Sequence, residues 1–422
     1  MKAELLSPAG NLEKLKIALA YGADAVYGGV SHFSLRLRSG KEFTYESFKE
    51  AIDYTHKKGK KIYVTINGFP FNSQIQLLKN HIIKIASFKP DALIVATPGV
   101  VALCKELAPA IPIHLSTQAN VMNYLDAKVY HDMGVSRIIV AREISLSDIK
   151  HIKQKLPKLE IEVFVHGSMC FAYSGRCLIS SLQLGRVPNR GSCANDCRFN
   201  YTLYAKNEDH GTLLRLEEQP NIGTYIFNAK DMNLSAHIDE ILKSGVIDSL
   251  KIEGRTKSSY YVAVTANAYK MAIDDFYAGC FEATKYQKEL DTTKNRGFTD
   301  AYLIHKPFEK HTDQNYDYAL SSGGFEVCGF VIEDELHFMC KYKIYPEDVL
   351  QIFAPKHSTI DEISNDIGET YKKGETYFIK FKKLITKDEK QLHSVHSGNL
   401  NPIKLPTKLP YMTMFRVKVP LR

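Results

Sequence analysis

The chain has little that would carry it into or across a membrane. Its opening, MKAELLSPAG, holds no apolar stretch ahead of a small-residue cleavage site. The longest apolar run, Ala92 to Cys104, is interrupted by Thr97, Pro98 and Gly99, whereas a spanning helix needs roughly 20 mostly apolar residues. A cytoplasmic protein is expected. Hydrolase and dinucleotide motifs are missing too: there is no H-E-x-x-H, no G-x-S-x-G, and no glycine-rich fingerprint after the first strand candidate. Global disorder is excluded, because 44% of the residues are apolar and 24% charged, enough to bury a large core. With 422 residues, two domains are expected.

What is present is a rhythm. Eight β-rich runs, Ala3–Ser7, Ala25–Tyr27, Lys61–Ile66, Ala92–Val95, Ile113–Leu115, Arg137–Val140, Ile161–Val165 and Ser249–Ile252, alternate with amphipathic segments such as Tyr45–Lys58 and Leu146–Leu156. Asn11, Thr44 and Ser145 are suited to cap the following helices. Alternation of this kind predicts a parallel sheet covered by helices, and eight repeats predict closure into a (β/α)8 TIM-like barrel over residues 1–285. The strand ends would then share one mouth, bearing Tyr27, Asn67, Gln118, Arg142, Glu143, His166, Glu253 and Arg255. The rhythm breaks once, at a long insertion over 167–233, and an excursion of that length usually carries function. A polar stretch suggests a linker over 286–325, and short alternating runs suggest a small all-β domain over 326–422.

Four of the eight cysteines fall in the insertion: Cys170, Cys177, Cys193 and Cys197, spaced C-x6-C-x15-C-x3-C. They lie among glycine, serine and asparagine, a composition for turns and exposed amides. In a cytoplasmic chain a four-thiolate metal site is favoured over disulfides. The irregular spacing suits an iron-sulfur cluster, with zinc as the alternative. The remaining four, Cys104, Cys280, Cys328 and Cys340, have apolar neighbours and are expected to be buried as small hydrophobes.

The net charge is +8, and residues 371–422 carry twelve Lys and Arg against three acids. That segment, with Lys380, Lys382 and Lys383 at its centre, is either a solvated surface or a phosphate-binding face.

The run Glu162-Val163-Phe164-Val165-His166-Gly167-Ser168-Met169-Cys170, followed by Gly175-Arg176-Cys177-Leu178-Ile179-Ser180, resembles the signature of peptidase family U32, the collagenase-like family. The likeness extends to LLSPAG, YGG, STQANV, AREIS, NRGSCANDCR and LKIEGR, so it spans the barrel. Although the family name records proteolysis, the resemblance is nearest to members that hydroxylate the wobble uridine of tRNA at carbon five, without molecular oxygen and with prephenate as co-substrate. It implies a [4Fe-4S] cluster on Cys170, Cys177, Cys193 and Cys197. Some branches take their fourth ligand near position 228–231, where this chain has no cysteine, so Cys197 is the expected fourth. For a dicarboxylate such as prephenate, Arg142, Lys251 and Arg255 have suitable charge, with Tyr27, Asn67 and Gln118 as further substrate-binding candidates. Glu162, His166, Glu253 and Glu143 are the acid/base candidates, and the basic tail is the candidate tRNA contact. Mutual ion pairing of Arg142 with Glu143 and of Glu253 with Arg255 is an equally weighted reading.

Overall fold

Short runs of β-branched and aliphatic residues that are buried on both faces form parallel strands, and this chain has eight of them in one closed sheet. The computed structural model describes residues 2–30, 33–34, 43–170, 172–186, 188, 192–199, 201–206, 208–211, 213–216, 229–304, 315, 323–355 and 358–419. In chain order the strands are β1 (Glu4–Pro8), β2 (Ala25–Gly28), β3 (Lys61–Ile66), β4 (Ala92–Val95), β5 (Ile113–Leu115), β6 (Arg137–Ile139) and β7 (Glu160–Ser168). Then come a hairpin, β8 (Leu203–Lys206) and β9 (Leu213–Leu216), a short strand β10 (Asp231–Asn233), and β11 (Ser249–Ile252). Strands β1 to β7 lie side by side in parallel, and β11 pairs with both β1 and β7 to close the barrel.

Helices α1 (Leu12–Ala20), α2 (Tyr45–Lys57), α3 (Ile75–Ala86), α4 (Pro98–Leu107), α5 (Tyr124–Asp132) and α6 (Leu146–Lys155) connect successive strands. The expected caps are present: Asn11 Oδ1, Thr44 Oγ1 and Ser145 Oγ each accept from a backbone N–H of the first turn.

The insertion leaves and returns at one place. Strand β7 runs three residues beyond its expected end because β10 pairs with it antiparallel, Asp231 opposite Ser168 and Asn233 opposite His166. Between these ends lie the short helix α7 (Ile179–Leu184) and the β8–β9 hairpin. Residues 189–191 of the NRGSCANDCR segment lie outside the described residues. After the insertion, α8 (Ile238–Lys243) leads to β11, and α9 (Ser259–Tyr277) packs with twelve of its residues buried.

The interval 286–325, expected to be a linker, is structured where it is described. Helix α10 (Ala283–Leu290) buries Tyr286 and Leu290, β12 (Phe298–Thr299) pairs in parallel with β10, and α11 (Ala301–Ile304) follows. The polarity of the stretch comes from the exposed face of α10 and from Arg296, which is buried through an ion pair with Asp231.

The chain divides into two compact units. The second is an antiparallel β structure of β13 (Phe325–Val331), β14 (His337–Cys340), β15 (Val349–Phe353), β16 (Ile363–Ser364), β17 (Gly368–Lys373), β18 (Thr376–Phe381), β19 (Leu384–Ile385), β20 (Gln391–Leu392), β21 (Ile403–Lys404) and β22 (Met414–Lys418). Eight of these form one sheet in the order β16-β17-β18-β15-β22-β13-β14-β21. Its core is centred on Phe338, Phe381 and Phe415, with Phe338 stacked on Phe381 and edge-on to Phe415. Among the described residues, no helix is long and apolar enough to cross a membrane.

Candidate active site at the barrel mouth

In a (β/α)8 barrel the residues at the C-terminal ends of the strands converge, whereas the interior below them is filled with side chains. Here the interior is filled partly with charge. Arg137 of β6 is 4% exposed and donates to Glu4, Glu160 and Glu162 at 2.7, 2.7 and 3.2 Å. Glu162 is fully buried and also accepts from Lys251 Nζ at 2.8 Å. Burial alone would raise its carboxyl pKa, but the Lys251 and Arg137 cations override this and hold it down to about 2. Glu162 is therefore an ionised counter-charge that orients Lys251.

Above this layer is a cavity of about 120 Å³ whose barrel wall includes Tyr27, Asn67, Gln118, Arg142, Lys251, Glu253 and Arg255. The Lys251 ammonium lies 4.3 Å from the Tyr27 ring centre, and the Arg142 guanidinium 4.0 Å from that of Phe164, both within cation–π range. Arg142 also approaches the Glu253 carboxylate at 4.0 Å. Tyr27 donates to the Ile252 carbonyl at 3.0 Å and reaches Glu253 at 3.4 Å. Arg255 donates to the hydroxyls of Ser34 and Thr65 at 2.6 and 3.0 Å. Of the two equally weighted readings for Glu253, ion pairing is met by Arg142 across the mouth. Among the described lining residues, Arg142, Arg198, Lys251 and Arg255 face a single carboxylate, Glu253. A wall with this balance attracts anions.

The other wall comes from the insertion. Cys170, Cys177, Cys193 and Cys197 all line the cavity, and none of them forms a disulfide. Burial pushes the Cys197 thiol pKa up, Arg198 opposes this, and the charges of Cys170, Cys193 and Cys177 add to the rise, so the four are electrostatic neighbours. Such a thiol stays protonated unless a bound metal withdraws its proton. Among the described residues, no three His, Cys, Asp or Glu side chains converge on one ion position. Arg198 ties the insertion down by donating to the Met169 carbonyl and to Asn195, both at 3.3 Å.

Three acid/base candidates lie elsewhere. Glu162 sits one layer below the cavity, in the ion pairs described above. His166 is fully buried against Tyr261, Tyr269 and Phe298, and burial pushes its pKa down to about 3. A register shift between β7 and β11 at Lys251–Ile252 displaces it from the row that Glu162 and Phe164 follow. Glu143 accepts from the backbone N–H of Ser174 at 2.8 Å and from its hydroxyl, anchoring the insertion. Glu253 alone of the four reaches the cavity.

The sequence reading gave no role to Arg137, Ser34 or Arg198, which the fold makes central. Arg198 directly follows Cys197, and that adjacency was the available signal.

Of the scattered cysteines, Cys104, Cys328 and Cys340 are buried as expected, but Cys280 is exposed. It follows the end of α9, where the chain turns at Gly279 with φ +75°. In the second unit the tail lysines are partly neutralised. Lys380 pairs with Glu347 at 2.5 Å, Lys404 with Glu389 and Lys408 with Glu335. Residues 322–422 carry fifteen Lys and Arg against thirteen Asp and Glu, so folding brings the tail beside its own counter-charges. Lys382 and Lys383 are exposed, and Lys382 bonds only to neutral oxygens of Ser364 and Asn365.

Gly167 shapes the mouth directly. Its φ is +120°, and a Cβ there would lie 2.6 Å from the Glu253 carbonyl oxygen. Gly167→Ala is expected to destabilise the barrel by about 1–3 kcal/mol and to shift Glu253, read as a lower urea midpoint. An unchanged midpoint would show that the strand absorbs the added methyl.

Peptidase family U32 matches residues 10–313 of the chain. A protein of Helicobacter pylori strain J99 called tRNA hydroxylation protein P is 58% identical over 99% of both chains. The Escherichia coli K12 protein of the same name is 37% identical, covering 87% of this chain and 90% of its own. The collagenase of Porphyromonas gingivalis is 31% identical, covering 71% of this chain and 73% of its own. With a family match across most of its length, and with the signature cysteines on one wall of the barrel mouth, the chain belongs to peptidase family U32.

Proposed function

We propose that this chain is a tRNA-modifying enzyme that places a hydroxyl on carbon five of the wobble uridine. The observation that carries the reading is that four cysteines outside any disulfide and an anion-attracting barrel mouth line one and the same cavity. The relative called tRNA hydroxylation protein P, 58% identical along the whole chain, supports it.

Replacing C5–H by C5–OH adds one oxygen atom and is a two-electron oxidation, so a co-substrate must give up a hydroxyl oxygen and be reduced by two electrons, its C–OH ending as C–H. Prephenate is the proposed one, with its two carboxylates on Arg142 and Arg255. Lys251, already held by Glu162, adds charge from beneath. The base must leave its stack to reach a cavity at the end of a barrel. Glu253 is the one described lining carboxylate and so the group placed to hold a proton near the reacting ring.

Cys170, Cys177, Cys193 and Cys197 would hold a [4Fe-4S] cluster, which when bound supplies one-electron redox chemistry. The irregular C-x6-C-x15-C-x3-C spacing supports a cluster, whose corners bind separate thiolates, over a single zinc ion.

A hydrolase reading has less support. The described lining contains no imidazole, and Ser174 is bonded to a carboxylate, Glu143, that its own backbone already occupies.

Mass spectrometry of tRNA nucleosides from a strain lacking the gene, with and without the wild-type copy, tests the reading. Loss of 5-hydroxyuridine derivatives and their return on complementation is expected, and an unchanged nucleoside profile would overturn it. In the second unit, Lys382→Glu with Lys383→Glu should weaken tRNA binding and reduce the salt slope by about two. Lys380→Glu should do less, because Lys380 is already paired. Binding that ignores the double reversal removes this face from the tRNA contact.

A further inference from the structure

Two amides at the barrel mouth have polar atoms with nothing to bond to. Asn67, just after β3, is 9% exposed, and Gln118, just after β5, is 3% exposed. Among the described residues, Asn67 Oδ1 and Gln118 Nε2 are both buried without a hydrogen-bond partner, and both residues line the cavity. Leaving a buried polar atom unmet costs about 1–3 kcal/mol, and native structures rarely tolerate it. An unmet acceptor and an unmet donor on one wall therefore point to a ligand that satisfies both.

The glutamine is held in this orientation. The Ser116 hydroxyl donates to Gln118 Oε1 at 3.4 Å, and Ser116 Oγ in turn accepts from the Gln118 backbone N–H at 3.4 Å. Arg176 fixes the main chain by donating to the Gln118 carbonyl at 3.0 Å. The amino group is left without a partner among the described residues, in a side chain that lines the cavity. Around it Ile94, Ile139 and Phe164 supply apolar walls against which a flat ring can rest.

We propose that Asn67 and Gln118 read the imide edge of a uracil ring, Asn67 Oδ1 accepting from N3–H and Gln118 Nε2 donating to the carbonyl oxygen on carbon four. This rests on the function proposed above and adds how the site chooses its base. Cytosine presents the opposite pattern on that edge, a ring nitrogen that accepts and an amine that donates. It would leave both amides unmet and add a donor facing a donor. A site built on buried hydrogen-bonding groups rejects such a mismatch strongly.

The test uses the full holoenzyme, purified without oxygen, on anticodon stem-loop RNAs with uridine, N3-methyluridine or cytidine at the modified position. The hydroxylated product is quantified by mass spectrometry. Uridine should exceed each of the other two by about tenfold or more in kcat/KM, the scale of one well-formed bidentate base contact. In Gln118→Glu the carboxylate can accept from the cytosine amine, so the preference for uridine over cytidine should shrink or reverse. The RNA series uses the unaltered protein, so it decides the matter even if the variant fails to fold. Equal rates on uridine and cytidine RNAs would overturn the base-edge assignment and leave the proposed hydroxylation standing. No reaction on uridine RNA would remove the proposed function and this inference with it.

Discussion

Cys193→Ser, purified without oxygen, is expected to lose most of its iron and acid-labile sulfide, its visible absorption and its 5-hydroxyuridine product, while remaining folded. Cys193 lies in the turn-rich insertion and lines the cavity shared by the quartet, away from the barrel core, so the barrel has no packing reason to fail. Serine keeps the size of the side chain but removes the soft thiolate that iron favours. Cys280→Ser is the matched control, since Cys280 is exposed outside the insertion. Its iron content should match that of the parent. Full iron in the Cys193 variant, or a colourless parent carrying one zinc per chain, would overturn the cluster assignment.

The second large effect is expected beneath the cavity. Glu162→Gln keeps the shape of the side chain but leaves Lys251 and Arg137 facing each other across a buried site with no carboxylate between them. Removing one partner of a buried, hydrogen-bonded ion pair costs about 3–5 kcal/mol, and here two cations lose the same partner. The pH dependence gives a second readout. In the folded protein the Glu162 carboxyl lies at about 2, below its ordinary value of 4.5. Its contribution is therefore fully present above pH about 4.5 and is lost as the pH falls toward about 2, a difference on the order of a few kcal/mol. Urea midpoints measured over that window should fall more steeply for the parent than for Glu162→Gln. Parallel curves, or a variant as stable as the parent at neutral pH, would show that the buried network does not hold the barrel together. A proton-transfer role would instead leave stability intact and remove a limb of the pH–rate profile near neutrality.

Much of the barrel was legible because its strands are buried on both faces. The run Ala92–Val95 is an unbroken apolar stretch, and the hydroxyl caps at Thr44 and Ser145 mark helix starts by local chemistry alone. The cavity was partly legible for a related reason. A residue at or just past the end of a barrel strand can face the mouth, which places Tyr27, Asn67, Gln118, Arg142, Glu253 and Arg255 together. His166 was misread because the register is not regular there. A shift between β7 and β11 moves it against three aromatic rings, and a shift of pairing leaves no mark on the residues of a single strand. Glu162 was misread because an acid inside a strand looks the same whether it borders a pocket or an ion pair. Its two partners are 25 residues before it and 89 after it.

The basic tail shows the same division. Lysines are easily counted along the chain, but charges are screened or paired by whatever lies near them in space, and Glu335 and Glu347 are brought in from outside the counted segment. By itself, the sequence determined the alternation that makes a barrel, the four cysteines and the polar character of the strand ends, since each is set by local composition and period. Tertiary structure alone decided which charges meet, which histidine is neutral and which amides are left unmet at the mouth, because those depend on distances between residues far apart in the chain.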